Sequence, residues 1–199
     1  MKEFIKKLHF FTHFDEQEMK EILKDAAEKP FQKDEFLIRE GQSADHVFVI
    51  TRGVATESCK ETGKGFKEKK SVGSIVSFHH LMSGVTRYQT SCVADTVVYA
   101  VKIPIESLKP FIKKRKIVEE HVFRECFYFL VKFNPEELKV FDTLDKQTLL
   151  QILNNLSFKR YKAGTIIDVS TGAIFLKGQA EDFKEDEEEN GKSYNYNPK

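Results

Sequence analysis

The sequence predicts an α+β chain: a compact sandwich or roll of short strands, flanked by helices and followed by an incomplete second copy. Three observations carry this. Residues 1–28 and 105–133 repeat apolar side chains at three- and four-residue spacing, the period of a helix with one buried face. Residues 31–101 break instead into short β-branched and aromatic runs separated by Gly and polar turns. A shift of 130 residues superposes the start of the chain on the segment after residue 137.

Taken in order, residues 1–28 read as helix. Asp15 is an N-cap, with Glu18 three residues on to complete a capping box. Met19, Ile22, Leu23 and Ala26 form the apolar face, and Pro30 stops the helix. Phe36-Leu37-Ile38 is a strand ended by Gly41 and the turn Gln42-Ser43-Ala44-Asp45. Val47-Phe48-Val49-Ile50 follows, ended by Gly53, and then Val54-Ala55-Thr56. Residues 60–70 are a charged loop with Gly63 and Gly65, read as a mobile hairpin tip. Val72 to Val76 resumes the sheet, Phe78 to Met82 has room for one helical turn, and residues 90–101 are again strand. Ile105, Leu108, Phe111 and Ile112 make one helical stripe; Val118, Val122, Phe129 and Leu130 make another. Lys113-Lys114-Arg115-Lys116 separates them and reads as a solvated junction.

The repeat matches capping and apolar positions together. Leu8, Phe11, Asp15, Gln17, Ile22 and Leu23 fall on Leu138, Phe141, Asp145, Gln147, Ile152 and Leu153, and Leu37 falls on Ile167. Phe48 to Gly53 is loosely echoed by Ile174 to Gly178. Nothing after residue 138 corresponds to residues 73–101, so the second unit is truncated. The expected organisation is 1–134 as a full domain with its linking helices, 135–180 as the truncated unit, and 181–199 as an acidic, structureless tail. Half a roll exposes apolar strands, so the region after 138 is expected to be marginally stable alone.

Composition narrows the function. The 199 residues carry 32 Lys+Arg against 31 Asp+Glu, but Glu181 to Glu189 holds seven acids and one lysine. The remainder is left with 31 bases and 24 acids, well short of a nucleic-acid signature. No run of about 18 apolar residues spans a membrane. Cys59, Cys92 and Cys126 are scattered and odd in number, which fits a reducing, cytoplasmic compartment. No nucleophile elbow, P-loop or paired-carboxylate pattern is present, so no catalytic residue is assigned and an enzyme is not expected. His79 and His80 are adjacent and diverge on a helix, so no metal site is assigned. His9, His13, His46 and His121 read as surface or interface residues, and Cys126 as helix packing.

The order helix, strand, Gly41 turn, strand ending in Gly53, short helix at 78–82, Arg87, strand and two helices resembles the cyclic nucleotide-binding domain family. Phe36 to Gly41 and Val49 to Val54 look like its first hairpins, and Gly73 to Arg87 matches its phosphate-binding cassette in length. The resemblance covers residues 8–133 well and 138–180 partly. It implies a β-roll (a double-stranded β-helix, jelly-roll-like) with flanking helices, and a regulatory module sensing cAMP or cGMP.

The same resemblance implies a site. Arg87 would hold the cyclic phosphate through charge-assisted bonds, beside the backbone amides of His79 and His80. Thr90 would face the ligand, and the helix from Val118 to Phe129 would cover the base. The family's Gly-Glu pair is replaced by Ser77 and Phe78, and the small residue after the arginine by Tyr88. No carboxylate is expected nearer than Asp95 to replace the missing Glu, so the ribose contact is lost unless another group replaces it. The cassette end Thr86 to Cys92 is similar to the divergent domains of sperm-type sodium/hydrogen exchangers, and the two-domain order to protein kinase A regulatory subunits.

The implied mechanism is a population shift: ligand at Arg87 favours a state with helices 105–133 swung onto the roll. The output then reaches a protein partner or an attached effector such as a transporter, channel or kinase, on the cytosolic face of a membrane protein or its complex. The competing expectation is a ligand-free scaffold in which Phe78 and Tyr88 fill the pocket and the aromatic helices 118–133 bind another protein.

Overall fold

The computed structural model describes residues 2–59, 67–81, 86–133, 141, 144–156, 159, 161–168, 179–183 and 193–197. These fall into two compact units, Met1–Leu156 and Ser157–Lys199.

The first unit opens with α1 (Lys2–Lys6), a 3-10 turn at Phe11–His13 and α2 (Glu16–Ile22). Asp15 and Glu18 form the expected capping box: the Asp15 side chain accepts from the Glu18 amide, and the Glu18 carboxylate accepts from the Asp15 amide. The expected helix over 1–28 is therefore interrupted, and its last residues are not helical. Ala27–Phe31 is strand β1, running antiparallel to a later strand, with Pro30 opposite Tyr99. An edge strand tolerates Pro because one row of its amides has no ladder partner to lose.

Seven more strands follow: β2 (Phe36–Ile38), β3 (His46–Arg52), β4 (Ala55–Ser58), β5 (Lys67–Lys70), β6 (Ile75–Val76), β7 (Ser91–Ala94) and β8 (Val98–Pro104). The charged segment expected as a loop thus ends in a paired strand, β5, while 60–66 lie outside the described residues. One sheet runs β1-β8-β3-β6 and the other β2-β7-β4-β5, with every pair antiparallel. Gly41 and Gly53 hold φ of +81° and +89°, as the two strand-ending turns require.

Strands β3 and β8 explain the architecture. Phe48 and Ile50, with Val98 and Ala100, face the roll interior beside Phe31, Leu37, Ile38, Tyr88 and Cys92. The alternate residues Val47, Val49, Val101 and Ile103 face a second core of helical side chains, among them Phe10, Phe11, Met19, Ile22, Leu108, Ile112, Val118 and Val122. Both faces of β3 are buried over Val47 to Ile50, so that stretch reads as a continuous apolar run rather than an alternating one.

The chain then enters α3 (Ile105–Lys114) and α4 (Lys116–Phe133), as the two stripes indicate. The 3-10 turn Phe78–Leu81 occupies the expected helical turn of the cassette. Next comes α5 (Lys146–Asn155), capped by Asp145, whose side chain accepts from the amides of Gln147 and Thr148. Asp15 and Asp145 therefore cap helices 130 positions apart. Helix α5 belongs to the first compact unit.

The second unit contains β9 (Ile166–Asp168), β10 (Gln179–Phe183) and β11 (Ser193–Asn197), ordered β10-β11-β9 and antiparallel. Strand β9 matches β2 at the same 130-residue shift. Residues 181–183 and 193–197 lie in strands, where the acidic composition alone suggested a structureless tail. The echo at 174–178 lies outside the described residues.

Candidate functional site

The cassette between β6 and β7 is tied together by its own side chains. Ser77 adopts φ +66°, a left-handed conformation natural to the Gly of the family pattern. Its hydroxyl lies 2.7 Å from His80 Nδ1, and His80 Nε2 lies 3.0 Å from the Arg87 carbonyl oxygen. The Gln89 amide also points at Nε2, at 3.3 Å, so this nitrogen sits between a carbonyl that can only accept and an amide that can only donate. His80 thus bridges the two ends of the cassette. Burial holds its pKa down at about 4, which keeps the ring neutral.

His79 is equally buried, at 6% exposure, and burial together with the neighbouring His80 pushes its pKa well down. Its ring stacks on Phe129 of α4 at 3.6 Å between centroids and an angle of 3°. The Cys126 thiol donates to the His79 backbone carbonyl at 3.3 Å. Helix α4 is therefore docked on the cassette, the place the base-covering helix was expected to take.

Arg87 ends the cassette beside the Gly41 turn. The residue is exposed, and its guanidinium Nη1 donates to the Gly41 carbonyl at 2.7 Å. It stands outside the set of side chains that line the cavity under α4. Tyr88 packs into the roll interior, and its hydroxyl donates to the His46 carbonyl at 2.8 Å. Phe78 faces two ways. Its ring sits edge-on to Phe10 at 4.8 Å and to His121 at 5.8 Å in the helix-side core, and it also lines the cavity under α4. His121, expected at a surface or interface, forms part of this contact between the N-terminal segment, the cassette and α4.

Thr90 is fully buried and faces inward, but it meets a carboxylate: its hydroxyl donates to Glu57 Oε1 at 2.6 Å. Glu57 is 2% exposed and pairs with the Lys70 ammonium at 3.4 Å. Lys70 also bonds Glu68 at 2.6 Å. Burial pushes the Glu57 carboxyl up, and the Lys70 charge and Thr90 hydroxyl pull it back. The expectation that no carboxylate stands nearer than Asp95 fails because distance along the chain is not distance in the fold. A signal was present: Ala55, Glu57 and Cys59 alternate on one face, and all three are buried.

Between these groups lies a cavity of about 60 Å³, lined by carboxylates of β4 and β5, by Lys70, Phe78 and His79, and by Glu125, Tyr128 and Phe129 of α4. Pockets for drug-sized ligands run from roughly 300 to 1,000 Å³. No helix among the described residues is long and apolar enough to cross a membrane.

With β-roll, cassette and capping helix in this arrangement, the chain has the fold of the cyclic nucleotide-binding domains. It superposes on the sensor domain of the transcriptional regulator DNR from Pseudomonas aeruginosa with a TM-score of 0.57 at 11% identity, covering 73% of this chain and 93% of that one. The regulatory domain of Toxoplasma gondii protein kinase A, solved with cAMP, gives 0.55 at 14% identity over 64% of this chain and 48% of that one. The regulatory subunit of a cAMP-independent protein kinase A from Trypanosoma brucei gives 0.53 at 15% identity over 69% and 48%. The chain thus spans about half the length of those two kinase subunits. No protein-family model and no curated relative matches the sequence.

Proposed function

We propose that the chain is a regulatory module of the cyclic nucleotide-binding class that holds its capping helix closed without a cyclic nucleotide and acts by binding a protein through the aromatic helix α4. This is the scaffold reading, with the plug supplied by Tyr88 and the Glu57–Lys70 pair. The observation that carries it is the direction of Arg87: the one cation the cassette would use on a phosphate is bonded to Gly41 at the surface. The interior offers a buried carboxylate in its place, and an anion at about 5 Å from a carboxylate costs roughly 3 kcal/mol per unit charge at an effective dielectric near 20. That a kinase regulatory subunit described as cAMP-independent has a similar fold supports a reading without cAMP.

A second reading, a cAMP or cGMP sensor, has specific support of its own. Arg87 stands at the cassette position that the resemblance gives to the phosphate, and the Toxoplasma neighbour was solved with cAMP. It requires Arg87 to leave Gly41. The effector, whether transporter, channel or kinase, is then whatever α3 and α4 are coupled to.

Calorimetry with cAMP and cGMP separates the two. The expected result is no heat at millimolar nucleotide. Saturable heat abolished by Arg87→Ala would overturn the first reading and establish the second.

A further inference from the structure

A second cavity, of about 200 Å³, lies between the N-terminal segment, α4 and α5, and no cassette residue lines it. Its wall carries Arg124, whose Nε is buried with no hydrogen-bond partner among the described residues. A buried guanidinium nitrogen without an acceptor is uncommon, and a bound acceptor would satisfy it. The rest of that guanidinium is weakly engaged. Nη2 lies 3.9 Å from Glu120, too far for a hydrogen bond, and Glu120 also stands 3.6 Å from Lys116. His9 and His121 share the wall with ring centroids 5.5 Å apart, and His13 is 5.2 Å from His9. Burial, and then His9, His13 and Arg124, hold the His121 ring down at about 4, so it faces the cavity as a neutral imidazole. Leu153, 1% exposed, and the Tyr128 ring supply an apolar side. Asn154 is exposed and marks the way in.

We infer that this cavity binds a small monocarboxylate with an apolar body, its carboxylate on the Arg124 Nε–H with the His9 and His121 rings as further donors, and its body against Leu153 and Tyr128. A carboxylate only accepts hydrogen bonds and a guanidinium only donates them, and bonds between the two charged groups are among the strong ones. The size agrees. A cavity of about 150 Å³ holds a benzene ring, so one of about 200 Å³ takes a ring-sized body with a carboxylate. It falls short of the roughly 300 Å³ at which drug-sized ligands begin to fit. The charge of the occupant is limited too. Glu125, which has an interaction of its own, also lines the cavity and repels each negative charge brought in, which favours one charge over two. The inference concerns groups outside the cassette, so it stands whether or not the roll takes a nucleotide.

The test is a titration of the full chain with sodium benzoate near neutral pH at constant ionic strength, following the His9 and His121 ring protons by NMR. Benzamide, with the same ring and no charge, and sulfate, with two charges and no apolar body, are the controls. The expected result is a saturable shift at millimolar benzoate, with both controls weaker by about tenfold or more. Arg124→Ala should weaken benzoate by about tenfold or more, and Arg124→Lys should recover only part, because the charge remains and the Nε–H does not. Asn154→Asp places a negative charge at an exposed position on the cavity wall and should weaken benzoate several-fold. A non-saturating response, an equal response to either control, or unchanged affinity in folded Arg124→Ala or in Asn154→Asp would overturn the inference.

Discussion

The guanidinium of Arg115 grips the carboxylate of Glu18 across 97 positions of sequence, with Nη2 at 2.8 Å and Nε at 3.1 Å from the same oxygen. That oxygen also accepts the Asp15 amide of the capping box, and Nη2 reaches Asp15 itself at 3.2 Å. One buried carboxylate therefore fastens the first turn of α2 to the junction between α3 and α4. The basic cluster, read from sequence as solvated, is tied to the fold through Arg115, with Lys114 also 3.8 Å from Glu18. Arg115→Ala should lower stability by about 1–2 kcal/mol, discounted for its partial exposure. Arg115→Lys should recover only part, because a point charge cannot reproduce the fork. Urea midpoints measure both, and an unchanged midpoint in Arg115→Ala would remove the tie.

The stack of His79 on Phe129 should control whether α4 stays on the cassette. Phe129→Ala deletes a ring that is 6% exposed, at a cost of roughly 3–5 kcal/mol. Amide exchange should accelerate in residues 116–133 and 78–81 before it does in β3 and β8. Uniform acceleration across the roll would mean that the helix is not a separable lid.

Acid should loosen the same contact. His80 and His121 are held down at about 4 by burial, and His79 well below its ordinary value. His9, His13 and Arg124 add to the effect at His121. A depressed histidine means that the unfolded chain binds more protons between the folded value and about 6.5. The stability from neutral imidazoles is therefore complete above about 7 and is lost as pH falls toward 4. The shift at buried His80 alone corresponds to about 3 kcal/mol over that window. Glu57, whose carboxyl is pushed up, works in the opposite direction as it takes up a proton. Urea unfolding from pH 8 to pH 4.5 should show the net loss, and His80→Asn should flatten it; a wild-type curve level across this range would refute the assignment.

Two glycines with similar φ should respond differently to alanine. At Gly53 a Cβ would lie 2.3 Å from the Val97 carbonyl oxygen and 3.0 Å from Thr96 Oγ1, in addition to the strain of φ +89°. At Gly41, φ +81°, nothing lies within 4 Å. Gly41→Ala should cost about 1–2 kcal/mol, from the left-handed backbone alone. Gly53→Ala should cost at least twice that, since the close atom is backbone and cannot step aside. Thermal melts of the two variants decide the matter, and equal losses would show that the Val97 turn yields freely.

Much of the fold was legible because its determinants are local. A capping box spans four residues, an apolar stripe recurs every three or four, and a strand ends where a glycine turns it. These spacings located α3, α4, the cassette turn and the repeat that places Asp145 on Asp15. They failed at β1, where a strand was hidden behind a proline tolerated at a sheet edge. They failed again at β10 and β11, where a pairing partner outweighed an acidic composition.

The site was legible in its residues and not in its directions. Ser77, Phe78, His79, His80, Arg87, Tyr88 and Thr90 were all named from the chain, but the sequence could not say that Arg87 turns to Gly41 or that Phe78 joins the helix-side core. Least of all could it put Glu57 beside Thr90 and Lys70. The sequence by itself determined which segments are helix and strand, where they are capped and that the plan begins twice, because neighbours in the chain dictate those choices. Only the tertiary structure decided that the roll holds carboxylates instead of an exposed arginine, because a side chain's direction depends on charges and rings brought to it from 13 to 97 positions away.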